Sequence, residues 1–472
     1  MVVRYPQIKN IRSVEAFRGR CSELDISIPI SESDVIPGVL TTSTTFEDGS
    51  AGHFVSANRF AILPMEGWDA TEDGRPTDLV RRRWRNFGQS GCGVVWAEAT
   101  AVHPDGRANP RQLMIDSTRV DDFRALRSEL HSDQIVGLQL THSGRWAKPG
   151  ARPEPKIAYR HPELDDRVGA HDASVLSDTA LDDLVERYIE AAIATAEAGF
   201  DFVDIKHCHG YLLHELLSAY SRPGRYGGDL AGRTNFLRSV VAGIRSRVPQ
   251  LAIAVRLSAF DVRPYIAGPN GFGVPAQSDK YPHAFGSAAD GTTFDLSETH
   301  QLFEVFTSLG IGLVSVTAGS PYYNPHVQRP AYFPPSDGYQ PPEDPLVGVA
   351  RHLAVCRELA EAHRSISVIG SAYSYLQDFV PEVAHAVVES GGAAMVGLGR
   401  MALSYPHLAR DVLAGTALDR HLVCRTFSDC TTAPRNGLVS GCFPLDPFYK
   451  DHPDRVHLTA AKRAQRDKVT KS

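Results

Sequence analysis

The sequence lacks several features that would place it in a specialised class of protein. No apolar run approaches the length of about 20 residues that a transmembrane helix requires. The first residues, Met-Val-Val-Arg-Tyr-Pro, lack the apolar core of a signal peptide. A net charge of -6 provides no excess of basic residues for nucleic acid or an anionic membrane. We therefore expect a cytoplasmic protein without nucleic-acid or membrane partners.

Cysteine is also scarce. The chain of 472 residues has seven cysteines, at positions 21, 92, 208, 356, 424, 430 and 442. A chain of this length does not need disulfides to stabilise its core, and the spacing is not typical of a secreted disulfide framework. With 42% hydrophobic and 22% charged residues, the composition is that of an ordinary globular protein. We expect reduced thiols.

From Asn58 onward, short apolar runs alternate with longer amphipathic segments. This alternation is typical of β-strand–α-helix units that form a parallel sheet. The eight candidate strands are 59–63, 93–97, 135–140, 202–205, 252–257, 313–316, 367–369 and 394–396. Helical stretches between them include 181–198, 236–247, 298–309, 347–362 and 379–390. Eight units favour a closed α/β barrel, the (β/α)8 TIM barrel, over an open doubly wound sheet.

The pattern divides the chain into three parts. Residues 1–55 are predicted to be an N-terminal extension packed on the outside, 56–415 the barrel, and 416–472 a C-terminal tail that ends in Lys/Arg-rich sequence and frays. Two long loops, 260–293 and 321–344, interrupt the alternation after the fifth and sixth strands. Loops that follow barrel strands lie at the catalytic face, so we expect these two to form pocket walls.

Polar and glycine-containing motifs occur at the ends of six candidate strands. They are Asn-Arg-Phe-Ala-Ile-Leu-Pro-Met at 58–65, Glu-Ala-Thr-Ala-Val at 98–102, Gln-Leu-Thr-His-Ser-Gly-Arg at 139–145, His-Gly-Tyr-Leu at 209–212, Val-Arg-Leu-Ser at 255–258 and Gly-Leu-Gly-Arg at 397–400. In this order, over roughly residues 56–415, they resemble the motifs of the old yellow enzyme family of FMN enzymes. The chain is similar to the barrel domain of the dienoyl-CoA reductase and trimethylamine dehydrogenase branch. The resemblance implies FMN as cofactor, a small-molecule substrate, and NADH or NADPH as electron donor.

The flavin phosphate would be held after the last two strands. A phosphate needs backbone N–H donors and a cation, and helix N-termini present such donors already oriented. Gly370, Ser371 and Ala372 after the seventh strand, and Gly399 with Arg400 after the eighth, fit that role. Barrels often bind phosphate at this place. The alternative is that these glycines only form turns that lead into helices.

The flavin ring requires a different set of residues. Reduced flavin is anionic near N1, so a buried cation there stabilises it. Arg256 matches the family residue with that role, and an unpaired arginine in an apolar strand is otherwise costly to bury. Gln139 matches the residue that hydrogen-bonds the pyrimidine edge. Pro64 and Met65 would place backbone groups beside the flavin.

The resemblance also assigns the chemistry of an activated C=C bond. His209 matches the anchor of the substrate carbonyl, and Tyr211 matches the proton donor that complements hydride from flavin N5. The alternative is a core histidine and a packing tyrosine. Lys206 replaces a second histidine that family reductases usually carry three residues before the anchor. His326 and Tyr322, in the loop after the sixth strand, are further candidates for the substrate pocket.

Glu66 departs from the family pattern, which often has Thr or Cys there, near flavin C4=O. An ionised carboxylate cannot donate a hydrogen bond to that oxygen and would make flavin reduction harder. Either Glu66 is protonated, or it points elsewhere, or the task of the flavin differs. Glu66 could pair with a cationic substrate, assisted by aromatic walls such as Tyr322, Tyr323 and Tyr332.

Two alternatives to a reductase follow from these residues. The first is a flavin-dependent amine dehydrogenase or demethylase, the oxidative chemistry of trimethylamine dehydrogenase. Covalent flavin attachment in that branch requires a Cys at position 66, so non-covalent FMN is expected here. The second is a flavin-binding module without catalysis, against which the presence of His209 and Tyr211 argues. The sequence leaves open whether the protein forms a homo-oligomer.

The tail cysteines resemble the remnants of a cluster motif. Larger relatives carry a motif like Cys-x2-Cys-x3-Cys-x11-Cys that holds a 4Fe–4S cluster. Here the Cys430-x11-Cys442 spacing is intact, Cys424 is one residue too close to Cys430, and Phe427 replaces the second cysteine. A cubane cluster normally takes four thiolates, so we expect no iron–sulfur cluster. We also expect the second nucleotide domain of those relatives to be absent.

A metal site at His207-Cys208-His209 is the remaining alternative. A divalent ion needs three or four convergent ligands. Alternating strand geometry places the two histidines on one face and Cys208 on the other. We therefore expect no metal site.

Overall fold

The computed structural model describes residues 5–276, 281 and 283–471 of the chain, with side chains up to residue 464. The first four residues of the predicted N-terminal extension, 277–280 and 282 in the predicted loop 260–293, and residue 472 lie outside the described residues.

The strands are short and their order follows the chain. They are β1 (Thr44–Asp48), β2 (Gly52–Ser56), β3 (Phe60–Ile62), β4 (Val94–Ala101), β5 (Ile135–Thr141), β6 (Phe202–Ile205), β7 (Ala252–Ser258), β8 (Tyr265–Ala267), β9 (Gly273–Pro275), β10 (Leu313–Thr317), β11 (Ser367–Gly370) and β12 (Met395–Leu398). Eight of them, β3 to β7 and β10 to β12, pair in chain order and close into a barrel when β12 pairs with β3. All barrel pairs are parallel. The predicted TIM barrel with extensions is confirmed.

Helices cover the outside of the barrel and build the extensions. They are α1 (Val14–Glu23), α2 (Asp78–Gly88), α3 (Val120–Arg127), α4 (Asp165–Val168), α5 (Asp178–Glu197), α6 (Leu212–Leu217), α7 (Leu230–Arg233), α8 (Asn235–Arg247), α9 (Ser297–Ser308), α10 (Pro325–Gln328), α11 (Pro345–Ala362), α12 (Val380–Glu389), α13 (Met401–Ser404), α14 (Leu408–Leu413), α15 (Asp429–Arg435), α16 (Pro447–Lys450) and α17 (Asp454–Lys471). In the described part of the chain, no helix combines the length and the apolar character needed to cross a bilayer.

Helix α5 illustrates how the sequence sets these bounds. It begins after Ser177, whose hydroxyl accepts a hydrogen bond from the Ala180 N–H at 3.1 Å. Such a cap satisfies a backbone donor that has no partner within the helix. The helix ends before Gly199, which has a φ of +86°. Its buried side includes Leu181, Val185 and other apolar residues at helical spacing.

The N-terminal extension closes the end of the barrel that faces away from the loops. Strands β1 and β2 form an antiparallel hairpin, and Phe46 of β1 is 3% exposed. Phe46 belongs to the same buried cluster as Ile135, Phe202 and Leu313, which are the first residues of β5, β6 and β10. The hairpin therefore covers the amino ends of the strands.

The prediction that the tail frays is wrong for its described part. Helices α15 to α17 fold against each other, with Ala433, Phe443, Tyr449 and Leu458 in a small core of their own. Arg82 of α2 makes two hydrogen bonds to Asp446, which tie this unit to the barrel. The sequence did not indicate these apolar contacts, because the tail has a charged composition.

Candidate active site

A pocket that includes about 1060 Å³ of empty space, part of it open to solvent, lies at the carboxyl ends of the barrel strands. The predicted residues that line it are Pro64, Met65, Glu66, Lys206, His209, Tyr211, Arg256, Tyr322, Ser371, Ala372, Gly399 and Arg400. The remaining lining residues are Leu63, Trp68, Thr317, Pro321, Gln328, Arg329, Ser374, Cys430, Thr431, Pro434 and Arg435. Catalytic groups of TIM-barrel enzymes are found at this face.

Three residues predicted for the site do not line this pocket. The Gln139 amide is one layer behind it and donates to Asp204 Oδ2 at 2.5 Å. Gly370 faces Tyr373, whose hydroxyl lies 2.9 Å from the position of an added Cβ. His326 lines a separate pocket, and its Nδ1 is 2.8 Å from the Tyr339 hydroxyl.

Arg256 projects from β7 into the pocket and is 6% exposed. Its backbone N–H donates to Asp204 Oδ1 at 2.7 Å, which fixes the strand position. Its guanidinium Nε is buried and has no hydrogen-bond partner in the described part of the chain. Burial lowers the pKa of Arg256 from its ordinary value. A guanidinium so placed has unused donor capacity for a bound group.

Two further arginines converge where β12 ends and the tail begins. Arg400 donates from Nη2 to the Pro330 carbonyl at 2.7 Å, and Arg329 donates from Nη1 to Thr431 Oγ1 at 2.5 Å. One nitrogen of each, Arg400 Nη1 and Arg329 Nη2, is buried without a partner among the described residues. Burial, with the charges of Arg400 and Arg435, lowers the pKa of Arg329 to about 9. An anion between these groups would relieve the mutual repulsion.

Some charged side chains of the pocket have an oppositely charged partner, and others have none among the described residues. Lys206 Nζ lies 3.9 Å from Glu66 Oε2, and Arg435 forms an ion pair of 2.7 Å with Asp337. In the described part of the chain, Arg256, Arg329 and Arg400 have no carboxylate within ion-pair distance. The pocket therefore contains paired charges together with three arginines that have no carboxylate partner among the described residues.

Glu66 is held in the pocket by a buried network beneath its loop. The Arg83 guanidinium donates to Asp69 and to Glu98 at 2.7–2.8 Å, and the Gly67 N–H donates to Glu98 Oε2 at 3.1 Å. A Cβ at Gly67 would lie 2.5 Å from the Arg83 nitrogens, so only glycine fits there without a shift. The register shift in β4 at Ala97 and Ala99 accompanies Glu98.

Glu66, Lys206 and Tyr211 form one contact group. The Tyr211 hydroxyl donates to Glu66 Oε2 at 3.2 Å, and Lys206 Nζ lies 3.6 Å from the centre of the Tyr211 ring. The Trp68 indole N–H donates to Glu66 Oε1 at 2.6 Å. Burial raises the pKa of Glu66, against the influence of the Lys206 ammonium, and burial lowers the pKa of Lys206. Burial opposes the ionisation of both groups, and their mutual attraction favours it.

His209 lies in a tight turn after β6 with a φ of +67°. Its backbone N–H donates to Ser258 Oγ at 3.1 Å, and Ser320 Oγ donates to its carbonyl at 2.9 Å. Its Nε2 is 3.2 Å from Gln328 Nε2. Burial, together with Arg256 and Lys206, holds the pKa of His209 well below its ordinary value, so the imidazole is neutral near pH 7. Neutral imidazole still donates one hydrogen bond.

An aromatic wall faces this group. The Tyr322 hydroxyl is 3.1 Å from the Tyr211 hydroxyl, and the Tyr322 ring stacks on Trp146 with centroids 4.4 Å apart. Burial and the Glu66 charge hold the pKa of Tyr211 well above its ordinary value. Tyr211 is therefore a protonated phenol that can donate its proton.

The three tail cysteines lie close enough to affect each other's ionisation. Burial raises the pKa of the Cys442 thiol, and the charges of Cys424 and Cys430 raise it further. Phe427, where the second cysteine of the cluster motif would be, stacks on Phe333 with ring centroids 5.7 Å apart. The trio does not fit a cluster that needs four thiolates, and the absence of a cluster remains a prediction. Within the described ranges, no group of three His, Cys, Asp or Glu residues could hold a metal ion.

The residues that the sequence analysis missed come from segments without a strand-end motif. Arg329 follows α10 in the loop that was predicted as a pocket wall, and only its charge in a Pro/Tyr-rich segment signalled it. Cys430, Thr431 and Arg435 reach the pocket from α15 in the tail. The Cys430 spacing was the available signal, but it was assigned to a lost cluster.

Comparison with known sequences identifies relatives of this barrel. Residues 51–266 match the NADH:flavin oxidoreductase / NADH oxidase family. An NADH:flavin oxidoreductase of Gibberella zeae is 26% identical over 283 residues, which are 56% of this chain and 64% of that protein. An NADPH dehydrogenase of Bacillus cytotoxicus is 31% identical over 214 residues, 44% of this chain and 60% of that protein. The chain thus spans less than two thirds of the length of these relatives.

Solved structures share the fold. A 2-naphthoyl-CoA reductase in complex with 2-naphthoyl-CoA has a TM-score of 0.67 at 16% identity, over 87% of this chain and 57% of that one. An old yellow enzyme homologue from Zymomonas mobilis has a TM-score of 0.57 at 21% identity, over 88% of this chain and 99% of that one. With the sequence relatives, these findings show that residues 51–266 are similar to the NADH:flavin oxidoreductase / NADH oxidase family and that the chain shares its fold with an old yellow enzyme homologue.

Proposed function

We propose that the chain is an FMN-dependent oxidoreductase that uses NADH or NADPH to reduce an activated C=C bond. The two half-reactions would share the pocket at the carboxyl face of the barrel. When bound, FMN would supply hydride chemistry, taking a hydride from the nicotinamide and delivering it to the substrate carbon.

The unpaired charges support FMN as the cofactor. A phosphate monoester carries a charge of about −2 at pH 7, and a reduced flavin ring adds a further negative charge. Three arginines, Arg256, Arg329 and Arg400, have unpartnered buried nitrogens at the pocket among the described residues. The number of these arginines matches the charge of such a ligand. Their placement matches it as well, because Arg256 lies on one side and Arg329 and Arg400 lie together on the other. Ser371, Ala372 and Gly399 would contribute groups around the phosphate.

The chain's own residues would act on the substrate as follows. Neutral His209 would donate a hydrogen bond to the substrate carbonyl, and Lys206, 3% exposed in the pocket wall, would add positive charge where an enolate oxygen develops. Tyr211, held as a protonated phenol, would give its proton to the other carbon. The Tyr322 ring would form one side of the substrate slot.

The observation that carries the proposal is the convergence on one pocket of His209 and Tyr211, which follow β6, with Arg256 of β7. Polar side chains from different strands rarely meet in a pocket with unsatisfied donors unless a ligand pairs with those donors. A charged and aromatic pocket at this face is the arrangement that flavin-mediated hydride transfer requires.

An oxidative function, as an amine dehydrogenase or demethylase, is the second candidate. It is favoured by the Glu66 carboxyl, which lies among Trp68, Tyr211 and Tyr322 as a cation-binding group would. It is disfavoured by Lys206, whose ammonium already lies on the Tyr211 ring and beside Glu66. A cationic amine would meet that charge, whereas a neutral conjugated carbonyl compound would not.

Anaerobic mixing of the purified holoprotein with NADH, then NADPH, tests the proposal. We expect the absorbance of oxidised flavin to bleach with at least one nucleotide and to return when an enone is added. Bleaching with methylated amines but with neither nucleotide would replace the proposal with the oxidative candidate. Bleaching with none of them would favour a flavin-binding module without catalysis.

A further inference from the structure

The Tyr211 hydroxyl is nearly sealed from water. Tyr211 is 2% exposed, and the partners of its hydroxyl are Glu66 Oε2 at 3.2 Å and the Tyr322 hydroxyl at 3.1 Å. Lys206 lies on the face of the ring, not at the oxygen. A phenol that gives away its proton once per cycle must be reprotonated, and the groups in hydrogen-bond contact with it are the most direct source of the new proton.

Glu66 is the neighbour that connects Tyr211 to solvent. Its side chain is 17% exposed, against 3% for Lys206, and it lines the open pocket. One carboxylate oxygen, Oε1, is fixed by the Trp68 indole at 2.6 Å, which leaves Oε2 for Tyr211. The carboxyl is thereby oriented with its free oxygen toward the phenol.

The charges around Glu66 favour a carboxyl that exchanges its proton. Burial raises its pKa, the Lys206 ammonium and the Trp68 and Tyr211 hydrogen bonds lower it, and the Glu98 charge raises it. Glu98 is itself engaged by Arg83 and Trp84. Burial is the largest of these influences, so the net effect is a raised pKa that favours the protonated carboxyl.

Tyr322 is a poor alternative source of the proton. Burial and the Glu66 charge raise the pKa of the Tyr322 phenol above its ordinary value. A phenol is also a far weaker acid than a carboxyl group. Tyr322 can orient Tyr211 through the 3.1 Å contact, but a second phenol does not restore a lost proton efficiently.

We propose that Glu66 is the proton relay of the site, taking protons from pocket water and passing them to Tyr211. This inference rests on the proposed function. In each cycle the Tyr211 O–H bond breaks as the substrate C–H bond forms, and the Glu66 O–H bond then breaks as the Tyr211 O–H bond re-forms. Glu66 regains its proton from water. The electrons come from the nicotinamide, so the relay itself involves no oxidation or reduction.

The proposal predicts the pH dependence of steady-state turnover. The relay requires protonated Glu66, whose pKa is raised by burial, so turnover is full below that pKa and falls as the pH rises through it. In Glu66→Gln, which cannot titrate, this alkaline decline disappears. Turnover there slows by about ten-fold or more, since a positioned acid contributes at least that much. The first turnover of pre-reduced enzyme keeps most of its rate, because Tyr211 still carries its own proton.

Chemical rescue separates a relay from a structural role. In Glu66→Ala, formic acid or acetic acid should restore steady-state turnover in proportion to its concentration, because a small acid fits the vacated position and delivers protons. Tyr322→Phe, which removes the other partner of the Tyr211 hydroxyl but no acid, is the matched control. It should keep the alkaline decline and show no rescue. Equal slowing of first and later turnovers in Glu66→Gln, without rescue in Glu66→Ala, overturns the relay.

An infrared measurement on the holoprotein decides the question without relying on turnover. We expect a protonated-carboxyl band that titrates above the ordinary range of glutamic acid and is missing from Glu66→Gln. In Tyr211→Phe the band should shift, because the hydrogen bond at 3.2 Å is lost. Absence of the band in wild type overturns the relay even if enones are reduced. Its presence with no enone reduction at all instead contradicts the proposed function.

Discussion

At the scale of single residues, the pocket is defined by side chains whose hydrogen-bonding capacity the protein leaves unused. Arg256 is the most informative of them. Replacing Arg256 with Met keeps an unbranched, flexible side chain but removes the charge and the buried Nε donor. We expect weaker FMN binding and slower flavin reduction by NAD(P)H, because the negative charge that develops on the ring loses its partner.

The measurement for this prediction is FMN titration of the apoprotein together with the rate of anaerobic bleaching. Arg187→Met on α5 is a matched control, since Arg187 is 52% exposed in its side chain and its ion pair in the described part of the chain is with Glu190. If the FMN affinity and the bleaching rate of Arg256→Met equalled those of wild type, Arg256 would not belong to the site.

Arg329 should distinguish the phosphate of the cofactor from its ring. A hydrogen bond to a charged group contributes about 1.5–3 kcal/mol. We therefore expect Arg329→Met to weaken FMN binding by about ten-fold or more, while riboflavin, which has no phosphate, binds as it does to wild type. Titration of both ligands into the apoprotein measures this. Equal losses for both ligands would place Arg329 away from the phosphate.

At the scale of elements, the loop after β3 is shaped from below by α2 and β4. Gly67→Ala would place a Cβ 2.5 Å from the Arg83 guanidinium nitrogens. Either Arg83 leaves its contacts with Asp69 and Glu98, or the loop that presents Glu66 moves. We expect a loss of about 1–3 kcal/mol in the free energy of unfolding, with weaker retention of FMN.

Thermal unfolding and FMN titration of Gly67→Ala test this prediction against Gly19→Ala in α1. Among the described residues, an added Cβ at Gly19 meets no heavy atom within 4 Å apart from its chain neighbours and the backbone of its own helix. Alanine favours a helix interior over glycine by about 1 kcal/mol, so Gly19→Ala should be neutral or stabilising. Identical behaviour of the two variants would contradict the role assigned to Gly67.

Much of the element pattern could be predicted from the sequence. All eight barrel strands were found, because buried parallel strands are continuous apolar runs bounded by polar turns. The folded tail was missed, since its small core of Ala433, Phe443, Tyr449 and Leu458 is spread over a charged segment without clear periodicity. The hairpin β1–β2 was missed because its buried side consists of few apolar residues, among them Phe46.

Some residues of the candidate site could likewise be predicted from the sequence, and others could not. Residues directly after strands, such as His209, Tyr211 and Arg400, could be predicted because the barrel brings strand ends together. Arg329 could not, since its position depends on how a long loop returns to the pocket. The pairing of Glu66 with Lys206 also depends on tertiary geometry that no spacing encodes.

At the scale of the whole molecule, the two ends of the barrel have different tasks. The hairpin β1–β2 closes the amino end, whereas the pocket opens at the carboxyl end. Replacing Phe46 with Ala should lower the free energy of unfolding by about 3 kcal/mol, the usual cost of truncating a buried phenylalanine. The visible flavin spectrum and the bleaching rate of the folded variant should stay as in wild type.

Chemical denaturation followed by fluorescence measures this stability. Val55→Ala on the same hairpin is the control, because Val55 is 54% exposed and should matter little. A Phe46→Ala protein that is as stable as wild type would mean that the hairpin does not support the core. A changed flavin spectrum in the folded variant would mean that the two ends are coupled.

In the proposed function, one pocket carries out flavin reduction and substrate reduction with different residues. The most direct test follows the flavin absorbance of wild type and Tyr211→Phe through anaerobic reduction by NADPH, or by NADH if that is the better donor, and reoxidation by an enone. We predict equal bleaching of the two proteins and a return of colour that is about 100-fold slower in the variant, because only the second step needs the proton of Tyr211. Reoxidation at the same rate in both proteins, or none in wild type, would contradict the account.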